Sequence, residues 1–224
     1  MVDHFIPPSA PVSFPAVNPR FLVTLAALLG CGLPLAAQNA PMPVPTEALA
    51  GQNVALVPLT LVAADPALQS DSLYAKYHDR RATLLWADSV IGDAFTGRAP
   101  EVRWVLPPQL RKLARRSPGI VGDPDQMGQA LLRSQKLREV PDPLRASLRK
   151  LMALVGGRVA MVPAALGFGR EVDGTVRADL SLVAADTRSG RILWRTRAVG
   201  TGATPDEALT AALAGVLPLD PASP

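Results

Sequence analysis

The hydrophobic pattern changes period along the chain, and each change marks an element. Val54 to Ala63 (VALVPLTLVA) is continuously apolar between polar neighbours, which predicts a strand buried on both faces, ended by Asp65-Pro66. Between Asp79 and Thr96, Leu84, Ala87, Ile91 and Ala94 or Phe95 recur at helical spacing, with Gly97 placed to cap the C-terminus. A short strand follows at Val102 to Leu106, and Pro107-Pro108 stops it. Pro108 then opens a helix over Gln109 to Arg116, because proline lacks an N–H that the first turn would leave unpaired. Leu110 and Leu113 are expected inward there, with Arg111, Lys112, Arg115 and Arg116 outward.

Asp123-Pro124-Asp125-Gln126 has the form of a helix start, with Met127, Ala130 and Leu131 facing the core. A second start at Asp142-Pro143 leads into Leu144, Leu148, Leu151 and Val155, ended by Gly156-Gly157. Arg145, Arg149 and Lys150 fall on the outer face of that helix. From Arg158 the period is two. A strand runs through Pro163, which argues for an edge or an irregularity, toward Phe168. Gly167-Phe168-Gly169-Arg170 reads as a bend between strands; it lacks the Lys-Ser/Thr of a phosphate loop. Val176, Ala178, Leu180, Leu182 and Ala184 alternate over a second strand, Asp186 to Gly190 forms a turn, and Ile192 and Trp194 continue the alternation on a third. Thr204-Pro205-Asp206-Glu207 caps a closing helix with Leu209, Ala212, Leu213 and Val216 inward. This order of elements is α/β or α+β, with about five strands in a mixed sheet and helices packed against it.

Ahead of these elements, Phe21 to Leu35 is an apolar run preceded by Arg20, the layout of a secretion signal and too short for a comfortable membrane span. Met1 to Asn18 is polar and proline-rich; either the leader has a long n-region or translation begins further in, near Val17. Leu28-Leu29-Gly30-Cys31 resembles a bacterial lipobox, in which the cysteine is lipidated and becomes the mature N-terminus. Ordinary cleavage after Ala37 is the alternative. Both remove the chain's single thiol. With lipidation, the absence of aspartate at Gly32 and Leu33 implies sorting to the outer membrane. The expected organisation is a leader over residues 1–37 (or 1–30 ahead of lipidated Cys31), a proline-rich linker over 38–52, one domain over 53–217, and a flexible tail over 218–224.

Composition narrows the chemistry. The formal charge of +4 suits a mildly basic soluble protein and also permits contact with anionic partners. The two histidines, His4 and His78, do not make a metal site, and no Cys/His ligand spacing exists. No complete catalytic constellation, no metal and no cofactor are expected. Asp88 lies in an otherwise apolar helical stretch and predicts a structural ion pair, with Arg81 or another basic side chain. The clusters Arg111, Lys112, Arg115, Arg116 and Arg145, Arg149, Lys150 suit either a solvated face or an anionic envelope surface. Aromatic platforms and a recognition module, which nucleic-acid binding needs, are not seen.

The opening VALVPLTL and the late segment from Val176 to Gly202 resemble the envelope proteins that include the N-terminal domain of TolB, the LpoB-type activators and CsgG-like lipoproteins. The pattern Asp-x-x-x-Gly-x-(Ile/Leu)-x-Trp of those proteins is matched by Asp186, Gly190, Ile192 and Trp194, which are expected to be structural. The resemblance spans most of residues 53 to 217, implies a five-stranded sheet with helices against it, and brings no catalytic residues. The function expected is an exported, lipid-anchored, non-catalytic accessory module whose partner is an envelope protein or an anionic envelope surface; self-association is open. Two alternatives stand beside it: an exported hydrolase-like enzyme in which Asp88, Asp179 or Glu171 converge with arginines, and an oligomeric secretion or pore component.

Overall fold

The computed structural model describes residues 42–217 of the 224-residue chain. The elements are α1 (Thr46–Leu49), β1 (Asn53–Leu56), β2 (Val62–Ala64), α2 (Pro66–Gln69), α3 (Arg80–Arg98), β3 (Arg103–Val105), α4 (Pro107–Arg116), α5 (Leu144–Val155), β4 (Val159–Arg170), β5 (Val176–Asp186), β6 (Ile192–Gly202) and α6 (Pro205–Val216), with short 3-10 helices at Ser72–Tyr77, Pro124–Gln126 and Gln129–Arg133. One mixed sheet holds all six strands in the order β3-β1-β4-β5-β6, with β2 also on β4. β1 and β3 are parallel neighbours, β4 runs parallel to β1 and β2, and β4, β5 and β6 form an antiparallel meander. The fold class is therefore α/β, as the order of elements predicts.

Helices cover both faces, which makes two cores. The first joins Ala87, Ile91 and Phe95 of α3 and Leu209, Leu213 and Val216 of α6 to the inward residues of β5, Val176 through Ala184. The second joins Leu110 of α4 and Leu144, Leu148 and Leu151 of α5 to Ala55, Ala160 and Val162. The four longer helices, α3 to α6, each bury one face in these cores, and the caps follow local chemistry. Asp79 accepts hydrogen bonds from the N–H groups of Arg81 and Ala82 at the start of α3. The Gln109 side chain accepts from the N–H of Leu106 at the start of α4, and Thr204 accepts from that of Glu207 at the start of α6.

Several expectations are corrected. The run from Val54 to Ala63 is two strands, not one: β1 ends at Leu56, β2 begins at Val62, and the chain leaves the sheet between them. Val57 still donates to the Met161 carbonyl at 2.9 Å, and Leu166 donates to that of Leu61 at 2.9 Å, so the ladder is open only around Pro58. Proline has no N–H to offer there. Pro163 lies in the same gap, which is how a central strand tolerates it. It marks an irregularity rather than an edge, for the register of β4 against β5 shifts between Pro163 and Ala165. The extra residue turns Leu166 and Phe168 onto the face already taken by Val159 and Met161. Gly167 to Arg170 continue β4 and form no bend.

Other corrections are local. α3 runs through Gly97 to Arg98 and is capped at Ala99. The start at Asp123 yields only 3-10 turns; Leu131 is exposed while Leu132 and Gln129 are buried. Leu113 and Val155 are half-buried. Residues 42–52 do not stand off as a tether: Val44 and Leu49 are buried, and Val44 donates to the Val216 carbonyl at 2.8 Å.

Candidate functional site

The gap between β1 and β2 is where the two helix layers meet. Asp88 projects from the buried face of α3 into it. One carboxylate oxygen accepts the N–H of Leu59 at 2.8 Å, satisfying a backbone donor that the broken strand leaves without a ladder partner. The other accepts from Arg111 Nη2 at 2.5 Å. Arg111 comes from α4, in the opposite layer, and also grips Asp125 with Nε (2.9 and 3.1 Å to the two carboxylate oxygens) and Nη2 (2.7 Å). Asp125 is set by its own turn, in which Asp123 accepts the Asp125 N–H at 3.0 Å. Gln129, fully buried, donates to the carbonyls of Pro58 and Pro124 and ties the break to the same turn.

The charge balance follows from burial. Loss of hydration pushes the Asp88 carboxyl up to about 6, although the hydrogen bonds from Leu59 and Arg111 act against that rise. Burial also opposes the charge on Arg111, but the hydrogen bonds to Asp125 and Asp88 outweigh it and hold its pKa above the ordinary value. A bidentate fork on one carboxylate and a single contact to a second fix the guanidinium in one orientation.

Above this ion cluster lies a cleft of about 790 Å³. Its walls are α3, with Arg80, Arg81, Leu84 and Leu85, and α4, with Arg111, Ala114 and Arg115; the segment from Val121 to Gln126 closes one end. The sequence grouped Arg111, Lys112, Arg115 and Arg116 as one outward cluster, and the structure divides them. Arg111 is held in the ion cluster with its side chain 14% exposed, Arg115 borders the cleft, and only Lys112 and Arg116 stand on the outer surface of α4. The second cluster divides too. Arg149 and Lys150 are exposed, but Arg145 is half-buried and lies over the hairpin turn at Gly190.

That turn is built as its residues predict. Asp186 accepts the N–H groups of Arg188 and Ser189 at 2.9 and 3.2 Å, pairs with Arg158, and receives the Gly190 N–H on its carbonyl at 2.7 Å. The side-chain hydrogen bond from Arg158 holds the Asp186 carboxyl well below the usual range. Trp194 is buried in the first core, opposite Ala184. Ile192 is not on its face: the register shifts beside Ala185, Leu193 is extruded and 51% exposed, and Ile192 packs with the second core.

The acids that an Asp/Arg enzyme would bring together are distributed instead. Asp179 pairs with Arg197, Glu171 lies 3.5 Å from Arg177, and Asp88 is with Arg111 and Asp125. Among the described residues no group of three or more His, Cys, Asp or Glu side chains is placed to hold a metal, and no helix is long and apolar enough to cross a membrane. Cys31 lies outside the described residues. Two acids that sequence reasoning missed are Asp125 and Asp206. Asp206, at the start of α6, accepts hydrogen bonds from Lys76 Nζ (2.6 Å), Trp86 Nε1 (2.7 Å) and the Tyr77 hydroxyl. Its position in a capping sequence gave it a local role and concealed the distant one.

No family model and no curated protein matches this chain. Solved structures similar to it include the LpoB C-terminal domain from Salmonella enterica, with 15% identity and a TM-score of 0.37 over 67% of this chain and 82% of that one. A PelC dodecamer from Paraburkholderia phytofirmans matches with 10% identity and a TM-score of 0.36 over 79% and 94%. The lipoprotein GNA1162 from Neisseria meningitidis matches with 14% and 0.32 over 66% and 78%. Scores this low establish neither a family nor a function.

Proposed function

We propose that this protein is an exported cell-envelope accessory protein, anchored through a lipidated Cys31, that works by binding a partner and not by catalysis. Export is supported by the apolar run from Phe21 to Leu35 behind Arg20 and by the position of the single cysteine. The observation that carries the binding reading is the cleft over Arg111. Its buried charges are committed to each other, as a rigid floor requires, while its rim presents Leu85 and two exposed arginines, Arg81 and Arg115, whose side chains pair with no carboxylate among the described residues. A preorganised floor beneath an open, chemically mixed rim is the arrangement of a recognition surface.

Intact mass and fractionation of the mature protein test the reading. A chain that begins at a lipidated Cys31, sediments with membranes and is released by Cys31→Ser is the expected result. An unmodified chain that begins at Gln38 overturns the anchor, and a chain that keeps residues 1–37 in the cytoplasm overturns export.

A further inference from the structure

The cleft also carries information about what fills it, and this step rests on the binding reading above. Its acids are already engaged: Asp125 on Arg111, and Asp123 on the Asp125 N–H and the Gln126 side chain. Arg80 is turned aside to the Thr60 carbonyl at 3.0 Å. Arg81 on one wall and Arg115 on the other are exposed, and neither pairs with a carboxylate among the described residues. Helical spacing sets Arg81 in line with Leu85, and Arg115 in line with Arg111 beside Ala114. Leu85 is 47% exposed, and Leu84 and Val121 continue the apolar surface inward. Each wall therefore offers a cation at the mouth and apolar surface beneath.

We propose that this cleft binds an acidic peptide segment of a partner protein, its carboxylates answering Arg81 and Arg115 and its apolar side chains resting on Leu84, Leu85 and Val121. Charge complementarity selects the sign of the occupant, and concavity selects its kind. A bilayer presents a broad surface that meets convex cations such as Lys112 and Arg116, whereas Arg81 and Arg115 border a recess between two helices. The volume of about 790 Å³ accommodates a few side chains and not a domain.

Selection of a random displayed peptide library on the immobilised full chain, followed by fluorescence anisotropy of the selected peptides, tests this. Enrichment of Asp and Glu next to Leu, Ile, Val or Phe is expected. The double variant Arg81→Glu, Arg115→Glu should weaken those peptides at least about tenfold, while Lys112→Glu, Arg116→Glu, which changes net charge equally on the convex face, leaves affinity within about twofold. Thermal melts of both variants establish that each is folded. Selected peptides without acidic enrichment, or equal losses in the two variants, overturn the proposal. So does phosphatidylglycerol vesicle binding that is lost only in the cleft variant with no peptide selected, which would make this a lipid site. Because the measurement uses purified chain, it stands apart from the cellular tests: a chain that is never exported sinks the envelope reading and leaves the peptide result unchanged.

Discussion

Arg145 lies directly across Gly190, its Nε 2.7 Å from the place where a Cβ on that glycine would sit. Gly190 also has φ +82°, so a side chain there meets both backbone strain and a steric block. The hairpin turn and α5 are thereby joined through a residue without a side chain.

Gly190→Ala is expected to destabilise the protein by about 1–3 kcal/mol, from left-handed strain together with displacement of Arg145. In an Arg145→Ala background the steric part disappears and only the strain remains. A double-mutant cycle by chemical denaturation should therefore give a non-zero coupling. Strict additivity would show that the contact carries no energy.

Trp194 and Leu193 are neighbours in sequence at a register shift: Trp194 pairs with Ala184 and is buried, while Leu193 is the extra residue left without a partner on β5 and is extruded. Trp194→Ala should cost about 3–5 kcal/mol, and Leu193→Ala less than about 1 kcal/mol. Equal costs by urea denaturation would place the shift elsewhere in β6.

Asp88, pushed up to about 6, makes stability depend on pH in the sense opposite to an ordinary paired acid. Between about pH 4 and 6 it holds its proton in the folded chain and loses it in the unfolded one, so folding binds a proton and stability falls as pH rises through that window. Relative to Asp88→Asn, the native protein should gain roughly 2 kcal/mol as pH drops from 7 to 4, by the conversion of about 1.4 kcal/mol per unit. Comparing the two removes the titration of the other carboxylates. A constant difference across the range would mean that Asp88 ionises normally.

Asp206 fastens the Ser72–Tyr77 turn and Trp86 to the start of α6. Asp206→Ala should speed hydrogen exchange over residues 72–77 and shift the Trp86 emission, with a global loss of about 1–2 kcal/mol because the carboxylate is partly solvated. Unchanged exchange in that segment would show that the aromatic contacts among Tyr74, Tyr77, Trp86 and Phe168 suffice to hold it.

What the sequence revealed was what is local. The stripe from Leu144 to Leu151, the alternation from Val176 to Ala184 and the Asp186–Gly190 turn each depend on residues within a few positions, and the structure repeats them. The break at Pro58 was hidden because both faces of the first strand are buried, so no alternation exists to be interrupted. Arg111 was hidden for another reason. In its own helix it is one cation of a run, and only the approach of Asp88, 23 positions away, and Asp125, 14 positions away, sets it apart. Arg81 and Arg115 became notable in the same manner, by lining one cleft from two helices, which no linear spacing records.

A continuous sheet insulates the helices on one side from those on the other. Here the missing rungs beside Pro58 open a window through which α3 and α4 hold each other by a single guanidinium. Motion of either helix is felt by the other without passing through the strands. Whatever lodges in the cleft above it touches both layers at once, so its arrival would be reported on both sides of the domain.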